Sequence, residues 1–388
     1  MKKLITISVV FALIAGVAFA DTAVSGSLSV RAKLIADTLN DVDNTAYAVG
    51  EVETAYVQLS GQNDDGTFGG LIRLRGNDGT SKFHRVFAWW KPIPQLQIWL
   101  GQDPDGKFGP YNAWTFFQGQ ESYAHDHDWG QWRAAFPGNW DTFGLALSVF
   151  PIQGLEVDIV VPIGGVGVGN SQNGMANWEP AYGNKNFNDL FFGSLQLAVV
   201  YGIPDIGKVF LNVLGPGYNI FTDENATTPS NYNADGKPLN YGTIGVAFQL
   251  TAVQGVDVQV GFSTIIPGAV EKQPTYLSLI ANYNGDGFGV RFRSRFVLGP
   301  AEGYFQTGVD VQPWINLGPL QAFLNIGFIM TDTGVSGVDP VSQFILNPYI
   351  RMGFGGGSLR FGVLFKDPNL DADKDAQISV PLIFGYSF

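Results

Sequence analysis

Hydrophobic and polar residues alternate one for one along most of this chain, as they do in strands with one apolar and one polar face. In VQGVDVQVGF, Val256, Val258 and Val260 share one face, whereas Asp257 and Gln259 lie on the other. Such segments are roughly ten residues long, the length that a tilted strand needs to cross a bilayer. About eighteen are predicted, with starts near 27, 52, 67, 84, 95, 142, 154, 193, 207, 242, 254, 275, 287, 303, 319, 343, 357 and 377.

The arginines indicate what the polar faces meet. All ten except Arg133 fall inside the predicted strands, and those nine occupy the polar phase. In FGVRFRSRF, Arg291, Arg293 and Arg295 alternate with phenylalanine and other side chains. A lipid-facing arginine would cost about 2–4 kcal/mol at the bilayer midplane. A soluble sandwich also alternates, but this distribution favours a transmembrane barrel whose polar faces line water.

The connections between the strands form a short set and a long set that mostly alternate. PIPQ, PIQG, IPDIG, AVQG, NGDG and GGG are typical of tight turns, and the link near 312–318 is expected to be a longer member of this set. The longest connection, 102–141, becomes the third external loop. The pattern therefore predicts an all-β fold: a transmembrane antiparallel up-and-down barrel of about 18 strands, with 16 as the alternative, short periplasmic turns and long external loops.

The first twenty residues have the pattern of a secretory signal. Lys2 and Lys3 precede the apolar run LITISVVFALIAGV, and Ala18-Phe19-Ala20 is a small-x-small cleavage site. We expect residues 1–20 to be a signal peptide and 21–388 to be a single barrel domain. The chain has no cysteine, so disulfides play no part in the fold.

Composition excludes some functions. The net charge of -12 argues against nucleic-acid binding. The sequence has no phosphate-binding loop, nucleophile elbow or zinc-binding helix, so we predict no enzyme, no cofactor and no metal site. The stretch His125-Asp126-His127-Asp128 suggests metal or catalysis, but its place in the long loop favours a role in loop charge. Asp371, Asp373 and Asp375 have calcium-loop spacing without the rest of an EF-hand, which leaves calcium binding by the external loops open.

The last strand, QISVPLIFGYSF, resembles the carboxy-terminal strand of bacterial outer-membrane proteins, which typically ends in an aromatic residue. The resemblance implies that Phe384, Tyr386 and Phe388 form a signal read by the barrel-assembly machinery. The segment FAWWKPIPQLQIWLGQDPDGKF resembles the porin-like surface proteins of spirochaetes. These resemblances imply an integral outer-membrane porin, exported by its signal peptide, that carries small hydrophilic solutes by passive diffusion. Trimers are usual in this class, so a homotrimer is a possible assembly.

The candidate functional residues follow from this placement. We expect an acidic constriction loop, since the third loop of general porins folds inward, and it would face a basic pore wall across a transverse field. The predicted pore-lining basic residues are Arg31, Lys33, Arg73, Arg75, Arg85, Arg291, Arg293, Arg295, Arg351 and Arg360. The predicted constriction-loop acidic residues are Asp103, Asp105, Glu121, Asp126 and Asp128.

Aromatic residues leave two alternatives open. Those of loop 102–141 could stack on sugars and make the channel selective for oligosaccharides, and long acidic loops also fit a surface adhesin or antigen. Interfacial girdles explain the aromatic residues predicted near strand ends. These are Trp89, Trp90, Trp99, Tyr201, Tyr283 and Tyr386.

Overall fold

The chain forms one continuous antiparallel sheet that closes on itself. The computed structural model describes residues 21–38, 46–77, 80–102, 143–162, 196–214, 242–266, 275–298, 304–334, 336–367 and 376–387. The strands are β1 Asp21–Thr38, β2 Ala46–Gln62, β3 Phe68–Asn77, β4 Thr80–Ile93, β5 Leu96–Gln102, β6 Phe143–Val149, β7 Leu155–Pro162, β8 Gln196–Ile203, β9 Gly207–Leu214, β10 Gly242–Leu250, β11 Val256–Ile266, β12 Thr275–Asn284, β13 Phe288–Leu298, β14 Tyr304–Leu317, β15 Leu320–Thr333, β16 Val341–Phe354, β17 Gly357–Gly362, β18 Leu364–Asp367 and β19 Gln377–Ser387.

Except for β17 and β18, each strand pairs with its neighbours in sequence, and β1 pairs with β19 to close the barrel. β17 and β18 lie end to end between β16 and β19, so the nineteen segments make eighteen wall strands. The prediction of an eighteen-stranded antiparallel barrel is confirmed over the alternative of sixteen. Predicted starts at 207, 242, 275, 357 and 377 coincide with those observed, whereas β1 and β2 begin earlier than predicted, at Asp21 and Ala46.

The outer face of the wall is apolar, whereas the inner face carries both polar and apolar side chains. Large apolar side chains such as Leu100, Val260 and Phe328 are exposed on the outer phase of their strands. On the opposite phase, polar side chains such as Gln312 and Asn347 are buried. A closed sheet satisfies its backbone hydrogen bonds internally and leaves no edge, so this outer surface suits a hydrocarbon environment.

One expected connection is wrong. Instead of a longer link near 312–318, β14 runs on to Leu317, which pairs with Leu320 across the two-residue turn Gly318-Pro319. Pro313, read in the sequence as part of a turn, lies inside the strand opposite Val290. Gly318 has a φ of 69°, a conformation that glycine adopts without steric cost.

Two interior tryptophans lie over glycines on the facing strand. Trp89 is directly opposite Gly69, and Trp314 is directly opposite Gly289. A Cβ on either glycine would lie 2.5 Å from the indole ring, far inside van der Waals contact. Glycine is therefore required at these two positions for the rings to lie against the wall.

The interruption between β17 and β18 has a local cause. The register places Val363 opposite Pro348, and the Val363 N–H donates to the Pro348 carbonyl at 3.0 Å. A hydrogen-bonded antiparallel pair normally exchanges two such bonds, but proline has no N–H to return. The Asn347 side-chain Nδ2 donates to the Val363 carbonyl at 2.9 Å instead. Asn347 thus supplies the donor that Pro348 lacks.

Candidate functional site

The arginines of β13 belong to a network on the interior phase of the barrel. Arg291 donates to Asn282 Oδ1 at 3.2 Å and to Gln312 Oε1 at 3.1 Å. Arg293 is buried and forms a salt bridge with Asp310, its direct neighbour on β14, to which its Nε donates at 2.6 Å. The positive charge of Arg293 is therefore balanced within the wall, whereas Arg291 contacts only neutral amides in these bonds.

The network continues across β14, β15 and β16. Gln312 is buried and its Nε2 donates to the Tyr349 hydroxyl at 3.3 Å. The Tyr349 ring stacks on Phe323, with centroids 4.6 Å apart and planes 4° from parallel. Asn325 and Asn347 are buried and directly opposite each other. Polar side chains thus form a continuous band on this part of the interior, in the place where a soluble protein would have an apolar core.

A second group of predicted basic residues is aligned by the strand register. Arg351 on β16 is directly opposite Arg360 on β17, and both are half-buried. Arg360 pairs next with Ile383, and Ile383 pairs in turn with Arg31 on β1. Like charges opposite each other are destabilising in a sheet. The alignment therefore concentrates positive charge beside the seam between the first and last strands, with Glu51 as the next register partner of Arg31.

Arg73 on β3 is held by its neighbours on β2. Its Nε donates to Gln58 Oε1 at 2.8 Å, and its guanidinium carbon lies 4.6 Å above the Tyr56 ring, within cation–π range. Arg85 is opposite Arg73 in the register, and Arg75 is opposite Lys82. For Arg31, Lys33, Arg75 and Arg85, only the strand position and the register are described. Arg295 is buried on β13 and shares its phase with Arg291 and Arg293.

Sequence reasoning placed Asp257 on a polar strand face but named neither Asp257 nor Asp158 among the candidate pore residues. Asp158 on β7 is buried and accepts a short hydrogen bond from Ser148, its direct partner on β6. Asp257 on β11 accepts from Gln249 Nε2 at 3.0 Å. Both lie on the polar phase of their strands, which could have revealed them as interior residues. They lie on the arc β5–β12, in which none of the predicted basic residues falls.

Two of the six predicted girdle aromatics are assigned to the wrong face. Trp99 is buried inside, in a cluster with Leu71, Phe87 and Ala146, and its Nε1 donates to Ser148 at 3.0 Å. Trp89 packs against the same cluster, 6.3 Å from Trp99 between ring centroids. Exposed aromatic side chains on the outer phase do occur at Trp90, Tyr201, Tyr283 and Tyr386.

Several predicted residues lie outside the described part of the chain. These are residues 1–20, the loop residues Asp103, Asp105, Glu121, Asp126 and Asp128, the neighbouring His125 and His127, and Phe388. Of the predicted assembly signal, Phe384 and Tyr386 are exposed on the outer phase of β19. Within the described ranges, no group of three or more metal-ligating side chains comes together. In those same ranges, no helix is long and apolar enough to cross a membrane.

Comparison with known proteins identifies the fold. No protein-family model matches the chain, and no curated protein sequence matches it. The solved structures that match include three Pseudomonas aeruginosa proteins. OpdQ is 10% identical, with 95% of this chain and 99% of that chain covered and a TM-score of 0.57. OccK5 (OpdH) is 11% identical, with 94% and 98% covered and a TM-score of 0.54. OprD is 11% identical, with 95% of each chain covered and a TM-score of 0.51.

These similarities extend over almost the whole of each chain, so the barrel plan is shared. At about one residue in ten, identity is too low to carry individual residues across. The chain therefore shares its barrel fold with these three proteins, and its functional residues must be argued from its own interior.

Proposed function

We propose that this chain is an outer-membrane porin, a water-filled channel through which small hydrophilic solutes diffuse passively. The observation that supports this most directly is the barrel wall, which has an exposed apolar outer face and an inner face that carries buried arginine, aspartate and amide side chains beside apolar ones. Barrels of sixteen to eighteen strands are wide enough to enclose an aqueous channel. Under this proposal the lipid of the outer membrane surrounds the barrel, and the protein performs no chemical step on its solutes.

The interior charges support a transverse field across the channel. All ten predicted basic wall residues fall on β13–β17 and β1–β4, and Asp158 and Asp257 lie on the remaining arc. Charges of opposite sign on facing walls orient polar solutes and disfavour apolar ones. Arg293 contributes little net charge because Asp310 balances it. Arg351 and Arg360 are directly opposite each other on the basic arc, so their combined replacement tests the field.

We extend the proposal to residues 102–141 as a constriction loop that adds acidic charge opposite the basic arc. Asp103, Asp105, Glu121, Asp126 and Asp128 supply that charge in the sequence. We also propose that residues 1–20 direct export, that Phe384, Tyr386 and Phe388 are read during barrel assembly, and that the assembled form is a homotrimer. The support for these three proposals is that such features are usual in outer-membrane porins.

Channel formation is tested by single-channel recording in planar bilayers. Folded protein should produce discrete conductance steps, whereas the same protein unfolded in urea before addition should produce none. If properly folded protein gives no ion-conducting steps, the porin proposal fails. Barrel folding is established beforehand by the altered gel mobility of unheated samples.

Selectivity is tested by the reversal potential under a salt gradient. Replacing Arg351 and Arg360 together by Gln should shift the reversal potential toward cation preference. The matched variant with Lys at both positions keeps the charges and should stay close to the parent. Equal reversal potentials for the Gln variant and the parent would remove these two arginines from the pore field.

A further inference from the structure

The eight short turns that form one rim of the barrel differ in what they expose. Three consecutive turns, between β6 and β7, β8 and β9, and β10 and β11, carry a branched aliphatic residue at the tip. These residues are Ile152, Ile206 and Val253, exposed by 60%, 45% and 56%. The other five turns consist of Asn63–Thr67, Pro94-Gln95, Gly285–Gly287, Gly318-Pro319 and Gly355-Gly356. None of these five has a branched aliphatic residue between its two strand ends, although Ile93 and Leu317, which end the strands before two of them, are exposed by 53% and 55%.

The three aliphatic tips are held rigidly in place. Each turn accepts a backbone hydrogen bond from the hairpin that follows it around the barrel. The Gly154 carbonyl accepts from Gly202 at 2.8 Å, the Ile206 carbonyl from Thr251 at 2.9 Å, and the Gly255 carbonyl from Asn284 at 2.7 Å. These bonds fix the backbone of each turn to the neighbouring hairpin, and the aliphatic side chains are exposed in this arrangement.

The aliphatic tips continue a surface that already faces lipid under the proposed function. On β8 the outer face carries Tyr201, an exposed aromatic of the kind found at membrane interfaces. The strand ends two residues later at Ile203, and Ile206 follows in the turn. At about 3.3 Å per residue and a tilt of about 40°, those two residues rise about 5 Å. The headgroup layer is itself about 5–7 Å thick on each side of the hydrocarbon core.

We propose that the three turns carrying Ile152, Ile206 and Val253 are embedded in the lipid headgroup layer, while the acidic turns at Asp64 and Asp286 stand in water. The three turns connect β6–β11, six of the eighteen wall strands, so this third of the rim lies deeper in the leaflet than the two acidic turns. The barrel axis is accordingly tilted toward this third. Asp205 is the one charged residue in these three turns and lies beside Ile206 at the headgroup level, where a carboxylate remains hydrated.

Because the chain has no cysteine, single nitroxide labels can measure the depth of each turn in lipid nanodiscs, where both faces are open to reagents. The tip variants are Ile152→Cys, Ile206→Cys and Val253→Cys. The matched turn variants are Asp64→Cys and Asp286→Cys, and Val260→Cys on the outer wall is the lipid reference. Labels at the three tips should be relaxed more by oxygen, and less by a water-soluble nickel chelate, than labels at the two acidic turns.

This inference rests on the proposed function, because it requires that the barrel lies in a membrane. The possible outcomes distinguish a failure of the inference from a failure of the proposed function. If the Val260 label is lipid-accessible and all five turn labels are equally water-accessible, the inference is wrong and the membrane barrel stands. If the tip labels are shielded from both reagents, a protein partner or a second copy covers them, and lipid embedding is again refuted. If the Val260 label itself is in water, the membrane placement fails as well.

Discussion

The Asn347 side chain supplies the hydrogen bond that Pro348 cannot make, so substitutions at these two positions should have coupled effects on stability. Asn347 donates to the Val363 carbonyl because Pro348 has no N–H for that acceptor. Replacing Asn347 by Leu keeps most of the side-chain volume but leaves the Val363 carbonyl without its donor. Replacing Pro348 by Ala restores a backbone N–H opposite that carbonyl, and the usual pair of cross-strand bonds can then form.

The magnitude follows from the burial of the site. Asn347 is fully buried, and leaving a buried polar group unsatisfied costs about 1–3 kcal/mol. Asn347→Leu should therefore lower the free energy of unfolding by about 1–3 kcal/mol in the parent. In the Pro348→Ala background the same change should cost less than about 1 kcal/mol, since the backbone now supplies the bond. The difference between the two costs is the coupling energy of a double-mutant cycle.

Equilibrium unfolding in urea from lipid vesicles, followed by tryptophan fluorescence, measures all four free energies. Asn212→Leu is the matched control, because Asn212 is another buried asparagine and neither of its side-chain polar atoms makes a hydrogen bond in the described structure. Its cost should be the same with Pro348 or Ala at 348. A cost for Asn347→Leu that is equally independent of residue 348 would refute the assignment of Asn347 as a substitute donor.

Two further predictions concern charge. Arg293→Met should destabilise the fold by about 3–5 kcal/mol, because it leaves Asp310 buried and unpaired; adding Asp310→Leu should recover most of that loss in the same urea assay, and no recovery would contradict the pairing. In the turn after β2, hydrogen bonds from the Thr67 hydroxyl and backbone lower the pKa of Asp65. Since the folded-state pKa is lowered, the stabilisation is present at neutral pH and is lost as pH falls through that pKa. Thr67→Val should move the pKa of Asp65 upward toward its ordinary value and Thr67→Ser should not, as read by carboxyl carbon NMR titration.

The alternation of residue types was sufficient to predict the barrel because a period of two is preserved through most of the wall, with register shifts confined to a few places such as the β1–β2 and β3–β4 pairs. The errors in assigning side chains to a face of the wall arose for residue types that occur on both faces. Trp99 was assigned to an outer girdle from its position near a strand end, although it alternates with Leu96, Ile98 and Leu100 and so belongs to the interior phase with Gln97. The alternation phase of Trp99 therefore predicts the face on which it lies, whereas its proximity to the strand end does not.

Pairing between strands was harder to predict than the strands themselves. Asp310 could not be assigned to Arg293 from the sequence, since their contact depends on the register between β13 and β14. Pro313 was read as part of a turn because proline is rare inside strands, yet β14 continues through it. The substitution of Asn347 for a missing N–H likewise depends on a three-residue arrangement that exists only once β16 and β17 are aligned.

The seam between β1 and β19 has a consequence for the kinetics of folding. Every other wall pair joins strands that are adjacent in the chain, but this seam brings together residues as distant as Ser27 and Ser387, 360 positions apart. The length-dependent entropy of closing a loop of that size is about 5 kcal/mol, against roughly 2 kcal/mol for a hairpin of about ten residues. Hairpins can therefore form early and independently, whereas closure of the cylinder waits for all eighteen wall strands. Until that step, two unpaired edges remain open to wrong partners, so the slowest contact to form is also the one that ends the risk of aggregation.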